Sequence, residues 1–172
     1  MAAPRTEAAE IAIGPLPADF DRWQDLLDLV MAAFAHMDGV IDPPSSAHRL
    51  TVSSLREKCS KERVFVALEG DRLAGCVFLD DRGDHVHVGK LAVAPDLQGR
   101  GIGRRLMEAA EAQARRLGRR SLELQTRVEL TGNQSTFARL GFRETGRTAH
   151  AGYARATSVT LRKDLADGAG AH

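Results

Sequence analysis

Apolar residues recur along the chain with two periods, and the change from one to the other marks out its elements. Phe20, Trp23, Leu27, Val30, Met31 and Phe34 fall three or four positions apart, the spacing of one helix face, with Asp19 placed to cap the first turn. Ahead of them Ile11 to Ile13 reads as a brief strand stopped by Gly14-Pro15. His36 to Ser46, with Gly39, Pro43 and Pro44, is a loop, and Ser53 to Cys59 a second short helix. Val64 to Leu68 and Leu73 to Leu79 flank Gly70-Asp71 as a hairpin, Asp80 to Asp84 is a polar turn, and Val86 to Val93 is a further strand. Gly103 to Leu117 is amphipathic, with Leu106, Ala110, Ala114 and Leu117 on one side and Gly118 at the end. Ser121 to Val128 alternates as a strand; Asn133 to Leu140 is a helix stopped by Gly141; Phe142 to Thr145 and Ser158 to Leu161 are closing strands.

This order of elements, without repeat or linker, predicts a mixed α/β (α+β) sheet with helices on both faces. The expected domain covers residues 1–166, with 167–172 a small, Gly/Ala-rich disordered tail. The chain has 172 residues, 43% hydrophobic and 27% charged, enough apolar surface for one core. A net charge of +1 gives no reason to expect nucleic acid or an anionic membrane as partner, so any phosphate recognition must be local. Cys59 and Cys76 lack zinc-site spacing and read as free thiols. No apolar run approaches the roughly 20 residues of a membrane span, and the N-terminus has no signal-peptide core. The expected compartment is the reducing cytoplasm.

The segment from Leu91 to Gly103, LAVAPDLQGRGIG, joins a strand to a helix. Gly99, Gly101 and Gly103 let the backbone turn tightly and approach a ligand, and the first amides of the helix are unpaired donors at the positive end of its dipole. Arg100, Arg104 and Arg105 add charge, and a diphosphate suits such a site. A Walker A loop needs Gly-Lys-Ser/Thr, which is absent. A dinucleotide fingerprint would need its third glycine at Arg104 or Leu106, and five residues separate Val93 from Gly99.

Here the chain resembles the GNAT acetyltransferases, whose signature Gln/Arg-x-x-Gly-x-Gly/Ala follows an apolar strand end and a Pro-acidic turn. It is phased here as Gln98-Gly-Arg-Gly101-Ile-Gly103, and a second block runs from Asn133 through Leu140-Gly141-Phe142. The resemblance implies a GNAT fold and acetyl-CoA as co-substrate, lying where two parallel strands splay apart, those ending at Val93 and containing Glu123 to Thr126. It implies that the strand Leu91-Ala92-Val93 pairs with the pantetheine arm through Leu91 and Val93. Gln98, Gly99, Arg100, Gly101, Ile102, Gly103 and Arg104 would hold the pyrophosphate, and Asn133 and Phe137 would contact the cofactor.

The resemblance further implies direct attack by an amine in a ternary complex, which needs a neutral amine, donors to the thioester oxygen and a protonated leaving thiolate. Counting six residues back from Val93 reaches His87, the family position of a general base. His85 shares its face, and Glu123 is a further base candidate. A metal site on the His-x-His pair lacks a third ligand. The position where many relatives carry a tyrosine acid is Phe137 here, so either no protein acid acts or Tyr153, the single tyrosine, serves.

Acceptor choice in this fold falls to the first helices, their loop and the last hairpin. Here those hold His36, Asp38, Asp42, His48, Arg49, Arg147, His150, Tyr153 and Arg155, a mixture suited to a zwitterion such as an amino acid or to a small amine. The expected protein is an N-acetyltransferase, monomer or homodimer, for a small or protein amine. A non-catalytic acyl-CoA-binding module and a nucleotide-binding domain are the alternatives.

Overall fold

The computed structural model describes residues 10–166. The first nine positions of the expected domain and the expected tail at 167–172 lie outside that range. Seven strands form one mixed sheet: β1 (Ile11–Pro15), β2 (Arg63–Glu69), β3 (Arg72–Asp81), β4 (Val86–Val93), β5 (Ser121–Arg127), β6 (Arg143–Thr148) and β7 (Ser158–Asp164). Their order is β1-β2-β3-β4-β5-β7-β6, and β4–β5 is the parallel neighbour pair. The helices are α1 (Trp23–Phe34), α2 (Val52–Lys61), α3 (Ile102–Arg116) and α4 (Thr131–Arg139). None is long and apolar enough to cross a membrane.

Alternation along β3 sorts the helices onto two faces. A Cβ on Gly75 would meet Leu106 and Ile102 of α3, whereas the next residue, Cys76, faces the other side of the sheet, within reach of the field of Cys59 on α2. Burial pushes the Cys76 thiol up to about 12 and Cys59 to about 11, so both stay protonated. On α3, Ile102, Leu106, Met107, Ala110 and Ala114 are buried. The three large side chains contribute roughly 1.5–3 kcal/mol each, which pins the N-terminus of α3 to the sheet. Gly75 is where that helix comes closest. A Cβ there would stand 2.9 Å from the Ala92 carbonyl and 2.9 Å from Leu106 Cδ1. Gly75→Ala is expected to destabilise the fold by about 1–3 kcal/mol through overpacking. A lower urea midpoint at unchanged slope is the readout.

Several boundaries differ from expectation by one to three residues, and two of the differences have a clear cause. Helix α1 starts at Trp23 without a side-chain cap, so Asp19 does not cap it. Leu16 still donates to Val64 at the sheet edge and Phe20 closes a turn onto Pro17, which delays the helix. Phe20 packs edge-on to Trp23 with centroids 5.0 Å apart, so the helical spacing reflected a real contact across a turn. Strand β1 runs through Gly14-Pro15, because an outer strand tolerates a proline that an inner one does not. Helix α2 is set by a capping box between Thr51 and Ser54.

Candidate active site

β4 and β5 separate part-way along. Their parallel pairing covers Val86–Leu122, His87–Glu123 and Val88–Leu124, and then stops. The cause lies on the other side of β4. Leu79 faces Val88 and Phe78 faces Lys90, so Gly89 is an extra residue, a bulge that bends the strand. β5 meanwhile stays in register with β7 to Arg127. The β4 backbone from Gly89 to Val93 therefore presents an unpaired edge to the gap.

The glycine loop closes one end of this gap. A 3-10 turn at Pro95–Leu97 leads into Gly99 and Gly101, both left-handed with φ of +83° and +80°. Gly101 is the N-cap of α3, and Arg105 makes the first helical bond to its carbonyl at 3.1 Å. The amides from Gln98 to Arg104 donate to no acceptor among the described residues. That row of free donors on a helix N-terminus is an anion cradle. Glycine permits it, since an L side chain at either φ would be strained.

A cavity of about 770 Å³ lies over the cradle. Gln98, Gly99, Gly101, Ile102, Gly103 and Arg104 line its loop end; Leu91 and Val93 line its β4 side; Asn133 and Phe137 of α4 face them. Of the expected cofactor residues, two stand apart from it. Ala92 is buried on the opposite side of β4, and the Arg100 side chain turns away to Glu69 at 2.9 Å, leaving only its amide in the loop. Arg105 is likewise turned off, to the Ile11 carbonyl, so Arg104 is the loop arginine at the cavity. Arg139 of α4 stands there as a second cation that no motif announced.

A second cavity, about 700 Å³, opens on the other side of the gap. Phe34, Met37, Leu91, Asn133 and Phe137 line both, so the two cavities meet through the splay. Phe137 is fixed edge-on against Phe142 at 5.6 Å between centroids. The Asn133 side chain has no hydrogen-bond partner among the described residues. Phe34 and Met37, from α1 and the turn after it, complete the junction. The only sequence signal of Phe34 was the apolar periodicity of α1, which reads as core, and Met37 fell in the predicted loop.

His87 lines the second cavity, half-buried. Burial, with Arg82 assisting, pulls its pKa below the ordinary histidine value, so the ring is neutral near neutral pH. His85 lies outside this wall. Its Nδ1 is 2.6 Å from Asp84 and its Nε2 3.9 Å from Glu123. Among the described residues no three His, Cys, Asp or Glu side chains group as a metal site. Tyr153 also lines the cavity and donates its hydroxyl to Asp42 at 2.6 Å, which holds its pKa above the usual tyrosine value. Arg155 reaches the same carboxylate at 3.4 Å. The loop after α1 and the loop before β7 are thus clasped over the cavity mouth. His48, Arg49 and His150 line this cavity and His36 the other, whereas Arg147 pairs with Glu144 on the outer strand β6.

The profile described as Acetyltransferase (GNAT) family matches residues 23–142, which span α1, the glycine loop and the whole lining of the 770 Å³ cavity. The chain belongs to this family. An IAA acetyltransferase of Azospirillum brasilense is 30% identical over 130 residues, covering 73% of this chain and 84% of that protein. Among solved structures, a GNAT family acetyltransferase from Elizabethkingia anophelis with acetyl-CoA bound superposes with a TM-score of 0.66 at 20% identity, covering 90% of this chain and 98% of that one. The ribosomal-protein-S18-alanine N-acetyltransferase of Escherichia coli superposes at 0.70 and 18% identity, covering 91% and 95%. Those two likenesses confirm the GNAT fold. The mixed sheet, the helices on both faces and the splayed parallel pair are as the sequence predicts.

Proposed function

We propose that this GNAT protein is an N-acetyltransferase that takes acetyl-CoA as donor and an amine as acceptor, joined in a ternary complex. The observation that carries this reading is the row of free amides from Gln98 to Arg104, set at one end of a gap that leads past an open strand edge to a neutral histidine. The residues present fit the donor. The cradle with Arg104 and Arg139 suits the phosphates, the β4 edge at Leu91 and Val93 offers backbone groups to the pantetheine amides, and Asn133 is a free amide in the same wall. That a relative of the same fold holds acetyl-CoA supports the assignment.

When bound, acetyl-CoA supplies the acetyl group and a thiolate leaving group. His87 takes one proton from the acceptor's ammonium, which frees the nitrogen to bond to the acetyl carbon as the carbon–sulfur bond breaks. Its depressed pKa keeps it free of a proton beforehand. Tyr153 gives its proton to the thiolate and takes up the one that the new amide nitrogen sheds; before the reaction its raised pKa keeps the hydroxyl protonated, donating to Asp42. The walls of Phe34, Met37 and Phe137 exclude water at the junction.

Titration calorimetry with acetyl-CoA, followed by mass spectrometry of an amine panel, tests the reading. One-to-one micromolar binding and a gain of one acetyl group on an amine are the expected results. A folded protein that ignores acetyl-CoA overturns it, and binding without transfer to any amine makes the protein an acyl-CoA-binding module instead.

A further inference from the structure

The walls of the 700 Å³ cavity are unevenly charged. His48, Arg49, His87, Lys90, Arg127 and His150 contribute to it, and no Asp or Glu does. The carboxylates nearest to it are already engaged. Asp38 is 2.6 Å from His48, Asp42 holds Tyr153 and Arg155, Glu129 accepts the Asp42 amide at 2.8 Å, and Glu62 holds Lys58 at 2.6 Å. Two of the basic groups are engaged at least in part: Arg127 donates through Nη2 to the Pro44 carbonyl while its buried Nη1 has no partner among the described residues, and His150 is bonded to Thr157. Lys90 and Arg49 are not. Neither has an ion-pair or hydrogen-bond partner among the described residues.

Lys90 stands out further. It is half-buried at the bulge beside Gly89, with its ammonium 5.9 Å from the Phe34 ring centroid at the junction of the two cavities. An unpaired, half-buried ammonium is costly to keep, and an anion that binds there recovers that cost. Ile41, Leu91, Leu124 and Leu130 supply apolar surface in a wall that also holds Gln125 and Thr126.

We infer that the acceptor is an amine that also carries a carboxylate and an apolar body, a free α-amino acid with an apolar side chain being the simplest case, with the carboxylate held by Lys90 and Arg49. This rests on the proposed function and takes the second cavity, where His87 stands, as the acceptor site. The same positive field has a second effect. It disfavours the acceptor's ammonium form and so eases loss of the proton that His87 takes. A diamine or an aminoglycoside would find no acidic side chain in this wall.

Matched acceptors test it: L-leucine and L-leucinamide, which differ in the carboxylate alone. The amide has the less basic amine, so a preference for leucine runs against intrinsic reactivity. Wild type is expected to favour leucine about 10- to 100-fold in kcat/KM, as a charge-assisted contact predicts. Lys90→Met should bring the ratio close to one by raising KM for leucine only, and Lys90→Arg should restore it. Equal or better use of leucinamide by wild type overturns the inference, as does a ratio that survives in both Lys90→Met and Arg49→Ala. A binding arm needs no turnover: ligand-observed NMR of N-acetyl-leucine against N-acetyl-leucinamide with the CoA-free protein. Selective binding of the carboxylate with no response to acetyl-CoA would keep this inference and sink the proposed donor. Acetyl-CoA binding with no discrimination between the two amides and acids would do the reverse.

Discussion

Gly103→Glu is expected to abolish acetyl-CoA binding while leaving the fold as stable as wild type or more so. A Cβ at Gly103 meets nothing closer than Val93 Cγ2 at 3.8 Å, an ordinary contact, and both residues line the 770 Å³ cavity. The new side chain therefore starts in the cavity wall without a clash. Gly103 lies in the first turn of α3, where a glycine costs about 0.5–1 kcal/mol relative to alanine and a carboxylate gains about 0.3–1 kcal/mol from the helix dipole. Those effects raise the melting temperature. The same carboxylate supplies the negative charge that the amides from Gln98 to Arg104 are arranged to receive, and it repels the donor's phosphates. Loss of at least ~100-fold in affinity follows from displacing several charge-assisted bonds. Gly101 is the less informative position, since its φ of +80° means that any side chain costs about 1–2 kcal/mol in backbone strain. Calorimetry and thermal melts on Gly103→Glu separate the two quantities. Affinity within about threefold of wild type, under half of the 1.4 kcal/mol that a tenfold change represents, would place the diphosphate elsewhere.

Much of this site is local in sequence, and that part was legible. The cradle is built within one stretch, from Gln98 to Arg104, by glycines that a left-handed turn requires and by the end of a helix whose apolar face is plain. What was not legible depends on distant partners. Arg100 counts toward the loop's charge until the hairpin brings Glu69 to it, 31 positions away. Tyr153 reads as a loop tyrosine until Asp42, 111 positions away, takes its hydroxyl. Lys90 interrupts an apolar strand without any local reason. The reason emerges only with the bulge at Gly89, which both opens the β4–β5 gap and brings Lys90 to its junction. The start of α1 was misplaced because Phe20 and Trp23 touch at helical spacing across a turn that backbone bonding to Pro17 and Val64, not periodicity, decides.

His87→Gln should lower kcat/KM for the acceptor by about 10²- to 10⁴-fold near neutral pH, the range for losing a general base. The pH dependence distinguishes that role from positioning. In wild type the acceptor arrives as its ammonium form, and His87 accepts the proton provided it is itself neutral. Its folded pKa is depressed below 6.5, chiefly by burial. Activity should therefore rise with pH through that depressed value and be level above it. In the Gln variant nothing takes the proton, so only the small fraction of free amine reacts and the rate climbs until the acceptor's own, much higher pKa. The defect is thus largest near neutrality and narrows as pH rises. The same depression fixes the sign for stability. The folded protein resists protonating His87, so below the unfolded value the unfolded state binds more protons and stability drops as the pH is lowered. Replacing the histidine removes that component of acid sensitivity. A rate defect that stays constant across pH would make His87 a positioning residue and return the base to Glu123, its register partner on β5.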